Sequence, residues 1–487
     1  MANLPPKNPD ILPSLQRNFP LIIFISMNYI YNHKEEMDKL LERFCRYVKI
    51  WSESDGKSAD QGIFPSTERQ WDFAKVLVKE LRNLGTRNVY LTDNCYVVGK
   101  IDSNILDAEE RKKYPSILLM AHMDTVDEVS GKDVHPVISM PSASESPTGQ
   151  ADTIIKTDGK TLLGADDKAG VAAIMTAVEY LMNHYESLPH GPIEVMFSPD
   201  EETGHGMDKV PLNIIKSKCA YTVDGGDEGE LEAECFNAWS ATVKFTGKAC
   251  HTGDAKAGGM VNAVSLAGDF VSRLPRDMAP ETTDGYQGFI APMEISGTIE
   301  SAQVDLLLRA FTIEEIEREK EIIRKVAEFV TQWDLGDLDT GAGKLDTGGA
   351  NLDTGATNFD TQGGAGNTQG AKQFAGMEKN HTQGAPSVEI TFKQQYLNMK
   401  ENLDKNPDVV TRLEKAYQAA GVQIRHKAIR GGTDGSRLTE LGIPTPNIFT
   451  GAHDFHSRNE WCSLNQMSKA ADVLINLLTR TDLCTNT

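Results

Sequence analysis

Six short segments of this chain contain residues that can bind a metal ion, and most of them begin as apolar strands. They occupy residues 118–124, 164–170, 195–202, 221–224, 245–251 and 447–456. Helical patterns alternate with the strands, which favours a parallel or mixed α/β sheet. Open α/β sheets bind ligands at the carboxyl ends of their strands. The pattern therefore predicts one polar site, assembled at that edge from residues that are distant in the sequence.

Taken singly, these signals are weak. Asp166 and Asp167 also suit the cap of the helix that follows them, and Asp224 before two glycines also suits an ordinary turn. Glu201 and Glu202 also suit a solvated acidic loop. Their joint occurrence is more specific, because two divalent cations need several His and carboxylate ligands, a bridging carboxylate and a free general base. The sequence supplies a candidate for each of these roles.

Length, charge and cysteine content limit the class of protein. A chain of 487 residues is too long for one hydrophobic core, so two or more domains are expected. The net charge of −21 argues against a nucleic-acid partner and against an anionic membrane surface. The seven cysteines are odd in number and form no Cys-x-x-Cys motif. Reduced thiols and a cytoplasmic location are therefore favoured over a disulfide framework.

Two segments lie outside the α/β pattern. Residues 1–36 are interpreted as an extension without catalytic function rather than a targeting leader, and their apolar stretch is far too short to span a bilayer. Residues 335–385 contain Leu-Asp-Thr-Gly or a close variant four times at a period of seven, starting at residues 338, 345, 352 and 359. A coiled coil needs two apolar positions per heptad, and the repeats match no calcium-binding loop. A flexible connection is the favoured interpretation.

Periodicity divides the chain into two domains, one of which interrupts the other. Residues 37–235 and 404–487 alternate strands with amphipathic helices and are predicted to form the two parts of an α/β catalytic domain. Residues 236–403 contain strands and helices in the order β-α-β-β-α-β, which is typical of a ferredoxin-like module. The segment 335–385 lies within this inserted domain.

Several strings of the sequence resemble a known family. They are His122-Met-Asp-Thr, Gly164-Ala-Asp-Asp-Lys-Ala-Gly-Val, Pro199-Asp-Glu-Glu-Thr-Gly, Val223-Asp-Gly-Gly, Gly229-Glu-Leu-Glu, Ile429-Arg-Gly-Gly-Thr-Asp-Gly and Pro446-Asn-Ile-Phe-Thr-Gly. They are similar to the peptidase T branch, the tripeptide aminopeptidases, of the di-zinc exopeptidase family that also includes aminoacylases and glutamate carboxypeptidases. The resemblance implies a zinc-exopeptidase-like three-layer α/β/α catalytic domain with an inserted ferredoxin-like α+β lid domain.

The same resemblance implies a set of metal ligands. His122 and Asp224 would bind one metal ion. Glu202 and His456 would bind the other, and Asp166 would bridge both.

Other residues receive roles from the resemblance as well. Glu201 would be the general base that binds no metal, and Asp124 would hydrogen-bond the ring of the first histidine ligand and fix its tautomer. His251, from the inserted domain, would approach the carbonyl oxygen of the scissile bond. Arg309 and Arg430 occupy positions where the family's substrate-contacting arginines often lie.

Two histidine motifs depart from the family pattern. The family usually has His-Pro-Gly where this chain has His251-Thr-Gly, so the turn that places this histidine differs in sequence. The last motif of peptidase T reads Tyr-Asn-Tyr-His, whereas here it reads His453-Asp-Phe-His456 and offers a second candidate ligand. His456 aligns with the family's histidine and precedes Glu460 at the family spacing, so His456 is the predicted ligand.

These expectations combine into one hypothesis, a di-zinc metallo-aminopeptidase that releases the N-terminal residue from tripeptides. Two Zn²⁺ ions are inferred from the mixed His and carboxylate donors, which also suit Co²⁺ or Mn²⁺. The alternatives are another amide hydrolase of the same fold, such as a dipeptidase, aminoacylase or carboxypeptidase, and a non-catalytic metal-binding protein. The protein is expected to bind a small peptide, and to bind neither nucleic acid nor a membrane. A homodimer is compatible with the resemblance.

Overall fold

The computed structural model describes residues 27–332 and 387–479. Its α-helices are α1 (Lys34–Tyr47), α2 (Gly56–Asp60), α3 (Gln70–Asn83), α4 (Ala108–Arg111), α5 (Ala165–Asn183), α6 (Ala255–Gly258), α7 (Ala263–Arg273), α8 (Ile313–Gln332), α9 (Lys400–Lys405), α10 (Pro407–Ala419), α11 (Asp434–Glu440) and α12 (Leu464–Thr479). Its strands are β1 (Asn88–Leu91), β2 (Val97–Ile101), β3 (Ile117–His122), β4 (Val137–Ser139), β5 (Ile154–Lys156), β6 (Ile193–Ser198), β7 (Cys219–Gly225), β8 (Glu230–Cys235), β9 (Asn237–Thr246), β10 (Phe289–Gly297), β11 (Ser301–Ala310), β12 (Ser387–Tyr396), β13 (Arg425–Ile429), β14 (Asn447–Phe449), β15 (Ala452–His453) and β16 (Trp461–Ser463).

The described residues fall into two compact units. The first contains the described parts of Met1–Ala233, Met399–Lys427 and Thr433–Thr487. The second contains those of Glu234–Asn398 together with Ala428–Gly432. In chain order, the second unit therefore interrupts the first.

An eight-stranded sheet forms the centre of the first unit. Its strand order is β1-β2-β6-β3-β7-β14-β8-β13. The strand β3 pairs in parallel with both β6 and β7, and β14 pairs in parallel with β7. The carboxyl ends of these four strands consequently share one edge of the sheet, which is where the sequence pattern places the polar residues.

Both faces of this sheet are covered. In β3, Ile117, Leu119 and Ala121 belong to one hydrophobic cluster, whereas Leu118 and Met120 belong to another. Successive side chains of a strand point to opposite faces, so an uninterrupted apolar run is what a strand buried on both faces requires. Helices α1, α5, α10 and α12 contribute to the larger cluster and α11 to the smaller one. The predicted three-layer α/β/α class is confirmed.

A second, smaller sheet of the first unit has the order β15-β16-β5-β4. Its strands are only two or three residues long. They are too short to show a period in the sequence, and the sequence did not predict this sheet. Its importance for the site is that β15 and β16 anchor the two ends of the loop that carries His456.

The second unit has one antiparallel sheet with the order β10-β11-β9-β12. Along the chain its elements run β9-α7-β10-β11-α8-β12, which confirms the predicted ferredoxin-like arrangement. In β11, alternate residues are buried, as expected for a sheet with one face against helices. The buried side chains of β11 pack with those of α7 and α8 in a separate hydrophobic core.

The segment before α1 is tied to the last helix. The backbone N–H groups of Tyr29, Ile30 and Tyr31 donate to the carboxylate of Asp472, over 2.7, 2.7 and 3.0 Å. The Ile30 side chain is fully buried. These residues of the predicted N-terminal extension are therefore packed onto the first unit.

Other sequence predictions fall outside the described residues. They concern residues 1–26 of the predicted extension and the whole repeat segment 335–385. Within residues 27–332 and 387–479, none of the helices combines the length and apolar character that crossing a membrane would need.

Candidate metal centre

The predicted ligands lie near the carboxyl ends of the central strands in the eight-stranded sheet of the first unit. His122 is the last residue of β3, and Asp224 lies near the end of the neighbouring parallel strand β7. Asp166 lies in the first turn of α5, where its backbone is not helical. Glu202 follows β6, the other neighbour of β3. His456 comes from the loop between β15 and β16, with a left-handed φ of 56°.

These five residues form two groups that share Asp166. In the first group, His122 Nε2 lies 3.0 Å from Asp166 Oδ1 and 3.5 Å from Asp224 Oδ1. In the second, His456 Nε2 lies 3.3 Å from Asp166 Oδ2 and 3.2 Å from Glu202 Oε2. Each oxygen of Asp166 thus faces a different group, which is the arrangement that a bridging carboxylate requires.

The charges of this cluster are poorly compensated by the protein. Burial raises the pKa of Glu202 to about 8 and that of Asp224 to about 6. Within the described part of the chain, neither carboxylate forms an ion pair with a lysine or arginine, and the buried Oε1 of Glu202 has no hydrogen-bond partner. Burial also acts on Asp166, but hydrogen bonds to His122 and His456 leave its pKa below the ordinary value.

Divalent metal ions fit this set of donors. They would neutralise the buried carboxylates, and one of them could be bound by the buried Oε1 of Glu202, which has no hydrogen-bond partner among the described residues. The mixture of imidazole and carboxylate donors suits zinc and other first-row metals better than calcium, which prefers oxygen ligands throughout. Both groups are therefore suitable for metal binding.

Glu201 lies beside this cluster but belongs to neither group of potential ligands. Burial raises its pKa well above the ordinary value for a glutamate. A carboxylate next to the metal ligands, with a raised pKa and without a ligand role, has the properties of a general base.

Asp124 connects two parts of the site. Its buried carboxylate accepts hydrogen bonds from the backbone N–H groups of Glu201 and Glu202, over 3.1 and 3.2 Å. The His122 ring lies close on the other side, with Nδ1 3.1 Å from the backbone oxygen of Asp124 and 3.4 Å from its Oδ1. Asp124 therefore links the end of β3 to the turn that carries the general-base candidate.

The structure separates the two histidines of the last motif. His456 points into the second group, whereas His453 Nδ1 lies 2.8 Å from Asp227 Oδ1 and its Nε2 lies 2.9 Å from Gln466 Oε1. The His453 ring also stacks on Trp461, with centroids 3.8 Å apart. The position expected for a ligand is thus occupied by His456.

Three predicted substrate-binding residues, His251, Arg309 and Arg430, lie in the second unit. The side chain of His251 is 81% exposed. The guanidinium of Arg309 donates to backbone oxygens of β9 and β11, and that of Arg430 donates to the backbone oxygens of Gly285 and Gln287. Their predicted contacts with substrate stay predictions.

Two residues that support the site received no role from the sequence. The buried carboxylate of Glu460 accepts the backbone N–H groups of Leu163, Gly164 and Asp166, over 2.9, 2.7 and 3.0 Å, and so holds the turn before α5. Asn447 Oδ1 accepts the backbone N–H of Asp224 over 3.0 Å. Glu460 could have been found from the sequence, because it lies four residues after the predicted ligand His456. Nothing in the sequence marks Asn447 as part of the site.

Comparison with known proteins identifies the family of this chain. Residues 118–480 match the model of Peptidase family M20/M25/M40, and the chain belongs to that family. It is a metallopeptidase.

Its relatives indicate a particular branch of the family. Peptidase T of Clostridium perfringens (strain SM101 / Type A) is 38% identical over 459 residues, which cover 91% of this chain and 98% of that protein. Aminopeptidase PepT from Bacillus cereus superposes with a TM-score of 0.64 at 19% identity, covering 92% of this chain and 99% of that one. A dinuclear metal-binding peptidase of Bacillus subtilis superposes with a TM-score of 0.54 at 14% identity, over 91% of this chain and 98% of that one. The two solved structures support the fold.

Proposed function

We propose that this metallopeptidase is a di-zinc aminopeptidase that releases the N-terminal residue from tripeptides. The observation that carries the proposal is the pair of His/carboxylate groups that share Asp166, with Glu201 beside Glu202 and in neither group. The substrate class is supported by the relatives, because the curated protein at 38% identity is named Peptidase T.

The five residues of the two groups would hold the metal ions. His122 and Asp224 would hold one zinc ion, Glu202 and His456 the other, and Asp166 both. Bound zinc would lower the pKa of a water molecule and polarise the carbonyl group of the scissile bond.

Glu201 would move the proton in this reaction. Its carboxylate would accept a proton from the attacking water and then deliver it to the nitrogen of the leaving peptide. Asp124 would hold the Glu201 backbone in place through the hydrogen bond described above. The family resemblance assigns His251 to the scissile carbonyl oxygen and Arg309 and Arg430 to the substrate, and these assignments are part of the proposal.

A different amide hydrolase of the same fold is the remaining alternative. Dipeptidases, aminoacylases and carboxypeptidases would use the same metal ligands and the same base, and would differ in how they bind the two ends of the substrate. A non-catalytic metal-binding protein does not agree with membership of a peptidase family. Small peptides as partners, a cytoplasmic location and a homodimer stay predictions.

A release assay separates these possibilities. The zinc-loaded protein is incubated with a free tripeptide, its N-acetylated form, the corresponding dipeptide and an N-acyl amino acid, and the free amino acids are quantified. We expect release of the N-terminal residue from the free tripeptide only. A blocked terminus leaves a buried polar group unpaired, which costs about 1–3 kcal/mol. Efficient hydrolysis of the N-acyl amino acid without release from the tripeptide would contradict the proposed substrate.

A further inference from the structure

The turn that carries Glu201 is held by a buried cluster to which the reaction described above gives no role. This cluster consists of Ser66, Gln70 and Asp200, which are at most 5% exposed. Asp200 directly precedes Glu201, and Gln70 is the first residue of α3. Residues more than a hundred positions apart thus converge on the residue before the general-base candidate.

The hydrogen bonds within this cluster satisfy both oxygens of Asp200. Asp200 Oδ2 accepts the backbone N–H of Ser66 over 2.7 Å. Its Oδ1 accepts the hydroxyl of Ser66 over 2.5 Å and the amide group of Gln70 over 2.6 Å. The backbone N–H of Asp200 in turn donates to Gln70 Oε1 over 3.1 Å. Gln70 therefore forms hydrogen bonds with both the side chain and the backbone of Asp200.

The backbone conformation of Asp200 requires this support from hydrogen bonds. Its φ is 57°, in the left-handed region that residues other than glycine adopt rarely. A non-glycine residue keeps this conformation only where its surroundings over-determine it. The left-handed turn redirects the chain after β6, so that the next two N–H groups, of Glu201 and Glu202, meet the carboxylate of Asp124.

We propose that Asp200 is a positioning residue for the reaction, which acts through Glu201 with Ser66 and Gln70 as its supports. The inference rests on the proposed role of Glu201 as general base. The turn is held at two points: Ser66 and Gln70 bind Asp200, the residue before Glu201, and Asp124 binds the backbone N–H of Glu201. A catalytic group displaced by about 1 Å can lose about 10²-fold in rate, so the position of this turn has direct consequences for turnover.

Substitutions at residue 200 test this role. Asp200→Ala should lower kcat by about 10- to 100-fold with KM and metal content unchanged, because the base is displaced while Asp124 still accepts the backbone N–H of the ligand candidate Glu202. Asp200→Gly keeps the left-handed backbone without steric cost but lacks the carboxylate, so its kcat should fall as well. Asp200→Asn tolerates the left-handed region and keeps one acceptor, so it should recover part of the lost rate.

A matched control uses another buried aspartate of the first unit. Asp472 also accepts backbone N–H groups from a distant segment but lies outside the metal centre. Asp472→Ala should lower the melting temperature and leave kcat unchanged. In a Glu201→Gln background, Asp200→Ala should cause no further loss of kcat, because a residue that acts through Glu201 has nothing left to position.

These measurements use whichever substrate the wild-type protein cleaves in the release assay, so an error in the proposed tripeptide specificity does not affect the comparison. The inference would be overturned if Asp200→Gly and Asp200→Asn both kept the wild-type kcat. It would also be overturned if the loss of rate came with loss of metal, or if it added fully to the effect of Glu201→Gln. If Asp200→Ala fails to fold, the glycine and asparagine variants carry the test.

Discussion

Separate replacement of His456 and His453 by alanine tests which histidine of the last loop serves the metal site. The two residues are three positions apart, and both are histidines with carboxylate neighbours. Their surroundings differ, because His456 Nε2 faces Asp166 and Glu202, whereas both ring nitrogens of His453 are engaged by Asp227 and Gln466. The pair is therefore a matched test in which each variant controls for the other.

The magnitudes follow from these contacts. His456→Ala reduces the second group from three donors to two carboxylates. Replacing a residue that only hydrogen-bonds to a ligand already lowers metal affinity about 10- to 100-fold, so the loss of a direct donor should exceed about 100-fold, or about 2.7 kcal/mol. His453→Ala instead loses a stacked ring, worth about 0.5–1.5 kcal/mol, and two hydrogen bonds worth about 1 kcal/mol each.

The assay combines a zinc titration of the metal-free variants, read with a competing chelator, with a melting curve. His456→Ala should show one weakened zinc site and a large loss of turnover. His453→Ala should show a lower melting temperature with zinc affinity close to that of the wild type. The opposite order of zinc affinities would show that His453, and not His456, is the ligand.

Further variants test other parts of the structure. Asp166→Ala should remove both zinc ions and Asp224→Ala only one, as measured by metal analysis, because Asp166 alone belongs to both groups. The buried carboxylate of Glu319 has no hydrogen-bond partner among the described residues, and burial raises its pKa to about 9 from an ordinary 4.5. Because the pKa of Glu319 is higher in the folded than in the unfolded protein, burial of this carboxyl costs no ionisation energy below about pH 4.5, and the free energy of unfolding falls as the pH rises from there toward 9. The melting temperature of Glu319→Gln should therefore exceed that of the wild type by more at pH 9 than at pH 6. Replacing residues 337–384 by a short Gly/Ser linker should leave turnover unchanged, because this segment has few apolar residues and closure entropy grows slowly with loop length.

Long apolar and amphipathic segments made much of the fold predictable. The alternating pattern of residues 387–396 predicts a strand with the bounds of β12, and the amphipathic pattern of residues 312–333 predicts a helix that agrees with α8 to within one residue at each end. Such elements bury a regular face, and their period is visible in one sequence. His122, Glu202 and Asp224 could be predicted for a related reason, since each lies at or just after the end of an apolar strand. Asp166 and His456 follow no such strand, and the family resemblance assigned them.

Interactions between short and distant segments could not be predicted. The small sheet formed by β4, β5, β15 and β16 has strands of two or three residues, which carry no period. The contact between Gln70 and Asp200 joins residues 130 positions apart. Both depend on the packed fold rather than on local sequence. The left-handed conformation of Asp200 has no local signal either, because aspartate rather than glycine occupies the position.

The most direct test of the proposed reaction is the metal content and turnover of Glu201→Gln, measured on the same sample. Glu201 belongs to neither group of ligand-type side chains, and the amide keeps its shape but cannot carry the proton. We expect about two zinc ions per chain, as in the wild type, and a kcat lowered by about 10²- to 10⁴-fold. Loss of a zinc ion would show that Glu201 is a ligand, and wild-type turnover with both ions bound would show that another residue is the base.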